Sequence, residues 1–156
     1  MNIGKFISPK TIESLLQKAP YEPALGIRLV QLTTTPVDDK LFVLIAIKLD
    51  KGKQLVPHLH EYDGEILFPL TPGKLTLGKP LRNNKGEFET AQDGKVSVVW
   101  ESSQQLIPGN PVSILPAVPH HIVASDAIDC MILFFLPQTH LSSDRKFVNY
   151  PKTTAK

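Results

Sequence analysis

Short apolar stretches separated by turn residues run along most of the chain. They predict strands at 26–33, 41–49, 54–60, 65–70, 74–77, 96–100, 112–115, 120–124 and 130–136. The stretch 41–49 is almost continuously apolar and rich in Val and Ile, so we expect it to be buried on both faces. So many short strands in one chain favour an all-β sandwich or barrel.

A single helix is predicted at about 9–18, ahead of the first strand. Ser8 is suited to the N-cap position, and Pro9 has the fixed φ of a first helical residue. The apolar positions of this segment recur at helical spacing: Ile12, Leu15, Leu16 and Ala19. We therefore expect the helix to pack against the outside of the β core.

The length of 156 residues and the mass of 17.3 kDa fit one domain spanning 1–156. We place the barrel core at about 26–137 and interpret the polar stretch 138–156 as a solvated C-terminal tail. The balance of 17 Lys and Arg against 15 Asp and Glu gives a net charge of +2, which does not favour a nucleic-acid partner. The longest apolar runs are far shorter than the roughly 18 residues that span a bilayer, so no membrane association is expected.

Cysteine content and the first residues bear on the cellular compartment. Cys130 is the single cysteine of the sequence, so no internal disulfide can form. The first six residues lack the apolar core of a secretory signal. Both observations lead us to expect a cytoplasmic protein.

Four of the five histidines fall into two groups, His58 with His60 and His120 with His121. Residues two apart on a strand point to the same face, so His58 and His60 have a spacing suited to two ligands of one metal ion. Imidazole binds zinc, copper, iron and nickel alike. An isolated pair of histidines at this spacing also arises by chance, and it is compatible with two surface imidazoles hydrogen-bonded to Glu61 or Asp63.

A wider pattern surrounds both groups. Its first part is Gly52, five residues, His58-Leu59-His60, four residues and Glu65; its second runs from Gly109 through Pro116 to Pro119-His120. Together these resemble the two motifs of the cupin superfamily, and the resemblance covers roughly residues 40–137. Two positions depart from the usual motifs. The glycine that closes the first motif is Gly73, one residue later than usual, and Val118 occupies a position of the second motif where glycine is usual.

The second motif leaves two histidines open as the downstream ligand. Counting from Pro116 selects His121, whereas aligning the Val-Pro-His triplet selects His120. The strand face that His120 shares with Ile122 is wholly apolar, and the face that His121 shares includes Ser125. We prefer His120, because an apolar face suits a barrel interior, and keep His121 as the alternative.

The resemblance implies a cupin-type jelly-roll β-barrel and one divalent transition metal inside it. Transferred residue by residue, the ligands would be His58, His60, Glu65 and His120. Iron is the first expectation, with zinc, manganese, nickel or copper as alternatives. Four protein ligands would leave about two positions of an octahedral site open.

The expected function is that of a metal-dependent cupin acting on a small molecule. Dioxygenase-type chemistry or Lewis-acid isomerase or lyase chemistry fits such a centre. Glu61 is a candidate general base, and Glu61, Tyr62 and Asp63 are candidates for orienting the imidazoles. A non-catalytic ligand-binding or sensing module and a purely structural metal site remain as alternatives. A homodimer is expected from the resemblance alone.

Overall fold

The structure is a computed structural model that describes residues 8–141 and 144–152. One α-helix, α1 (Pro9–Lys18), precedes the strands. In chain order these are β1 (Tyr21–Glu22), β2 (Ile27–Val37), β3 (Lys40–Leu49), β4 (His58–His60), β5 (Glu65–Pro69), β6 (Gly73–Pro80), β7 (Val98–Leu106), β8 (Val112–Ile114), β9 (His120–Val123), β10 (Cys130–Pro137) and β11 (Arg145–Phe147). A short 3-10 helix, Gln138–Leu141, follows β10.

The strands form two antiparallel sheets. The first sheet has the order β1-β2-β3-β10-β5-β8, and the second has the order β11-β4-β9-β6-β7. Neighbours in each sheet are mostly distant along the chain; β10, for example, pairs with both β3 and β5. The prediction of an all-β jelly-roll with a short N-terminal helix is confirmed.

The main core lies between the two sheets. Both sheets contribute side chains with 2% or less of their surface exposed: Ile47, Leu49, Leu67 and Ile132 from the first, and Leu75, Leu106 and Ile122 from the second. Burial of this apolar surface is the main stabilising contribution, at about 25 cal/mol per Å² removed from water. It holds the sheets face to face and so fixes the positions of polar groups that point between them.

Strand β3 is buried on both faces, as its continuous apolar sequence predicts. Ile45 and Ile47 point into the main core, whereas Leu44 and Ala46 pack in a second cluster that also contains Ile12 and Leu16 of α1. The helix therefore covers the outer face of the first sheet. No helix within the described part of the chain has the length and hydropathy needed to cross a membrane.

The stretch 138–156, predicted as a solvated tail, is in its described part largely structured. Strand β11 pairs with β4, and Val148 is only 1% exposed. The backbone N–H of Val148 donates to the carbonyl of Pro57, which continues this pairing. A three-residue strand is too short for its alternation to be recognised, which is why the polar composition of the segment was misleading.

Strand β7 is also longer than its predicted range of 96–100, since it runs on to Leu106. The added residues 101–105 are polar and exposed. They pair with β6 at the edge of the second sheet, where one side of the strand needs no partner. Backbone pairing, not side-chain burial, extends this strand.

Gly73 has a steric reason to be glycine. A Cβ atom built on it would lie 2.6 Å from Sγ of Cys130, a side chain that is fully buried. We expect Gly73→Ala to lower the free energy of unfolding by about 1–3 kcal/mol, a typical cost of overpacking. Urea denaturation measures this loss.

The double variant Gly73→Ala/Cys130→Ala provides the control for that prediction. Because the second substitution removes the obstructing sulfur, it should recover part of the loss, giving a coupling of at least about 0.5 kcal/mol in a double-mutant cycle. Strictly additive effects would show that the sulfur is not the obstacle.

Candidate metal centre

Three imidazoles converge between the sheets. His58 and His60 lie on β4 and His120 on β9, and His58 is the cross-strand partner of His120. All three are buried, with exposures of 6%, 7% and 0%. One potential ligand atom from each of the three lies within 4.8 Å of those of the other two. Strand alternation and one cross-strand pair thus bring together histidines about sixty residues apart in the chain.

The carboxylate of Glu65 completes the cluster from the opposite sheet. Glu65 opens β5 and is 5% exposed. Its Oε1 atom lies 3.0 Å from Nε2 of His120, and its Oε2 atom lies 3.8 Å from Nε2 of His60. The structure therefore brings together His58, His60, Glu65 and His120, the four residues that the cupin resemblance proposes as ligands.

Backbone carbonyls orient two of the rings. Nδ1 of His58 donates to the carbonyl of Val56 at 2.8 Å, and Nδ1 of His120 donates to the carbonyl of Val118 at 3.1 Å. In the neutral imidazoles this leaves a lone pair on each Nε2 atom. The two Nε2 atoms are only 3.2 Å apart. Facing lone pairs at that distance repel unless a proton or another cation lies between them.

The surroundings shift the pKa values of His58 and His120 in opposite directions. Burial lowers the pKa of His58 well below its usual value, and the neighbouring His120 and His60 add to the effect. Burial also lowers the pKa of His120, but the adjacent carboxylate of Glu65 outweighs it and the net pKa is raised. The cluster therefore favours one positive charge close to Glu65 and disfavours several protons.

The donor set fits a divalent transition metal. Two ligands at about 2.1 Å from one ion lie about 3.0 Å apart when they are at right angles. The separations of 3.2 Å between His58 and His120 and of 3.0 Å between His120 and Glu65 agree with that value. Imidazole nitrogen with one carboxylate is a donor set for iron, zinc, nickel or manganese.

A small cavity adjoins the cluster. Its volume of about 40 Å³ accommodates roughly three water molecules. His58, His60, Glu65 and Arg145 provide its polar lining. The remaining lining residues are apolar: Leu25, Ile27, Leu29, Ile45, Ile47, Leu55, Phe134 and Leu136. This apolar lining lowers the local dielectric constant and so strengthens electrostatic interactions with any ligand in the cavity.

His121, the alternative ligand, lies elsewhere. Its Nε2 atom is 2.9 Å from Oε1 of Gln54, and its ring contacts Tyr150 and Trp100 in a surface pocket on the other face of the second sheet. Burial, with Lys74 and His120 nearby, lowers its pKa to about 4. The preference for His120 on strand parity agrees with this placement.

Glu61, the predicted general base, does not reach the cluster. Its Oε2 atom lies 3.2 Å from Nζ of Lys146, and Glu61 is not among the residues that line the cavity. The chain bends directly after His60, and the carboxylate turns toward the exposed lysine. This placement corrects the sequence-based role of Glu61.

Tyr62 and Asp63 do not orient the imidazoles either. Tyr62 is 74% exposed, and Oδ1 of Asp63 lies 2.7 Å from Nζ of Lys40. The backbone carbonyls of Val56 and Val118 orient the rings of His58 and His120 instead of these side chains. Sequence reasoning cannot find such groups, because every residue has a carbonyl.

Two residues of the site were missed by the sequence analysis. Arg145 on β11 is the cross-strand partner of His60 and lines the cavity. Asp144 is 6% exposed, and its Oδ1 atom accepts hydrogen bonds from the backbone N–H groups of Glu61 and Tyr62. Both lie in a polar segment without motif or periodicity, so no sequence signal marked them.

Comparison with known proteins supports the fold. No protein-family model matches the chain, and no curated protein sequence does. Solved structures match well. KdgF from Halomonas sp. is 22% identical over 76% of this chain and 84% of that one, with a TM-score of 0.50. The polyketide cyclase RemF from Streptomyces resistomycificus is 19% identical over 86% and 78%, with a TM-score of 0.53.

A third match has a higher structural similarity at lower identity. The L-ribose isomerase of Geodermatophilus obscurus is 13% identical over 78% of this chain and 69% of that one, with a TM-score of 0.59. All three are cupin-fold proteins. This chain therefore has the cupin fold, and the fold that the resemblance of its two motifs implies is confirmed.

Proposed function

We propose that this protein is a metal-dependent cupin enzyme acting on a small molecule. One divalent transition metal would be held by His58, His60, Glu65 and His120. The observation that carries the proposal is the convergence of three buried imidazoles and one buried carboxylate beside a cavity. Iron remains the first expectation for the metal, and zinc, manganese, nickel and copper are alternatives.

The adjoining cavity favours a reactive centre over a purely structural one. A structural site is closed by its protein ligands, whereas a catalytic site keeps positions open to the substrate. Here the cavity reaches His58, His60 and Glu65 directly. A small ligand in the cavity would therefore contact the same side chains that hold the ion.

A bound divalent ion would supply Lewis acidity or, if it were iron, redox chemistry with O₂. The protein's own part is to hold and isolate the centre. The carbonyls of Val56 and Val118 accept hydrogen bonds from Nδ1 of His58 and His120, so that the Nε2 atoms of both rings face inward. Glu65 offsets one positive charge, and the apolar walls exclude bulk water.

The proposal is tested on protein purified without added metal. We expect close to one equivalent of a transition metal by elemental analysis. After reconstitution with Fe²⁺, Mn²⁺, Co²⁺, Ni²⁺ or Zn²⁺, a panel of small acids and phenols is screened by oxygen consumption and by NMR. Oxygen uptake with iron alone would indicate dioxygenase-type chemistry, and conversion without oxygen would indicate isomerase or lyase chemistry.

Two results would count against the proposal. Failure to bind any of the five metals would remove its basis. Binding of a metal and of small molecules without turnover would instead favour a non-catalytic binding or sensing module.

A further inference from the structure

Arg145 places a positive charge at the candidate metal centre. Strand β11 pairs with β4 so that Arg145 lies directly opposite His60, and directly opposed residues project from the same face of a sheet. The side chain of Arg145 is half-buried and lines the cavity together with His60 and Glu65. Lys146, the next residue, lies opposite Leu59, forms an ion pair with Glu61 and is 44% exposed.

The backbone around Arg145 is fixed on both sides. Before it, the buried carboxylate of Asp144 accepts hydrogen bonds from the N–H groups of Glu61 and Tyr62, which tie β11 to the loop after β4. After it, the N–H of Val148 donates to the carbonyl of Pro57. These bonds anchor the short strand at both ends, so the guanidinium extends from a defined position.

The charge of Arg145 has little compensation within the protein. Burial lowers its pKa, and the exposed Glu22 is the carboxylate that opposes this effect. Within the described residues, no carboxylate lies within the 4.0 Å that defines an ion pair with Arg145. A guanidinium remains charged at all physiological pH values, so its donors are available to an anionic ligand.

The charges of the site add to this effect. This step rests on the proposed function, because it counts the metal. A divalent ion, neutral imidazoles and the carboxylate of Glu65 together carry one positive charge, and Arg145 brings a second. Uncompensated charge between apolar walls is costly, so the occupied site favours an anion.

We propose that Arg145 binds the carboxylate of the substrate and that the site acts on a small organic acid. The guanidinium fork matches the two oxygens of a carboxylate, and its hydrogen bonds to an anion are stronger than neutral ones. The remainder of the acid then lies toward the metal ligands. Arg145 acts in this proposal as a specificity-determining residue.

The donors of the cavity favour a carboxylate over a phosphate. Most of the cavity wall is apolar and offers no hydrogen-bond donor to further oxygens. Arg145 is also the one Lys or Arg residue among the described residues that line the cavity. A single guanidinium fork pairs with both oxygens of a carboxylate, whereas a phosphate has two further oxygens to satisfy.

The experiment measures binding of pyruvate and of its neutral amide, pyruvamide, to Co²⁺-loaded protein by calorimetry and by the visible spectrum of cobalt. We expect the wild-type protein to bind pyruvate at least about tenfold more tightly than pyruvamide. Arg145→Gln should remove this preference and leave the cobalt content unchanged. Arg145→Lys should keep part of it, because the charge remains without the planar fork.

Lys146→Gln is the matched control, since it removes a positive charge from the adjacent position on the other face of β11. It should leave the affinity for pyruvate within about twofold of wild type. The proposal is overturned if Arg145→Gln carries cobalt and binds pyruvate as well as wild type does. Tighter binding of inorganic phosphate than of pyruvate would overturn the choice of a carboxylate. Failure of the wild type to take up cobalt would count against the proposed function itself and is recognised before any ligand is added.

Discussion

Replacing His120 by alanine should abolish metal binding. The imidazole is fully buried, and its Nε2 atom lies 3.2 Å from Nε2 of His58 and 3.0 Å from Oε1 of Glu65, so its loss removes a donor from the middle of the cluster. Removal of groups that merely support a metal ligand typically costs 10- to 100-fold in affinity, and removal of a ligand itself should cost at least about 100-fold. Competition with a chromophoric chelator for Zn²⁺ measures the affinity, and elemental analysis measures the content.

His121→Ala is the matched control for that experiment, because it makes the same chemical change one residue away. Its side chain faces Gln54 and the surface pocket, so the metal content should remain that of wild type. His120→Gln, which keeps a polar group of similar size, separates loss of metal from loss of folding when circular dichroism is recorded beside it. Equal metal contents in His120→Ala and His121→Ala would show that the ligand assignment is wrong.

Ile132→Ala should cause a large loss of stability. Ile132 lies on β10 at the centre of the first sheet, is fully buried and belongs to the core between the sheets. Truncation of such a side chain removes buried methyl groups and leaves a cavity, at a cost of about 2–5 kcal/mol. Urea denaturation followed by tryptophan fluorescence from Trp100 measures the change.

Ile128→Ala makes the same substitution in the loop before β10, where the side chain is 43% exposed. We expect a change of no more than about 0.5 kcal/mol there. If the two variants were equally stable, the core would not lie where the structure places it.

The sequence predicted those parts of the molecule whose apolar pattern is unambiguous. The alternation of His58 and His60 and the parity of His120 predicted the side of the sheet on which each imidazole lies. The continuous apolar run of β3 predicted burial on both faces, because one face packs on the core and the other packs on the helix.

The parts that could not be predicted depend on backbone groups and long-range pairing. The carbonyl of Val56 orients a ring, although valine itself carries no such signal. Arg145 reaches the cavity because β11 happens to pair with β4, and a three-residue strand leaves too little pattern for detection. Glu61 was misassigned because closeness in sequence to His60 does not fix the direction of a side chain in a bend.

The two adjacent histidines of β9 make the strand register, and the apolar neighbours that fix it, important for the site. His120 and His121 are identical groups on opposite faces, so a slip of one residue would exchange them and still present an imidazole to the cluster. Such a slip would also expel Ile122, which is fully buried opposite Leu75. The burial of these two aliphatic side chains therefore fixes which of the two histidines faces the cluster.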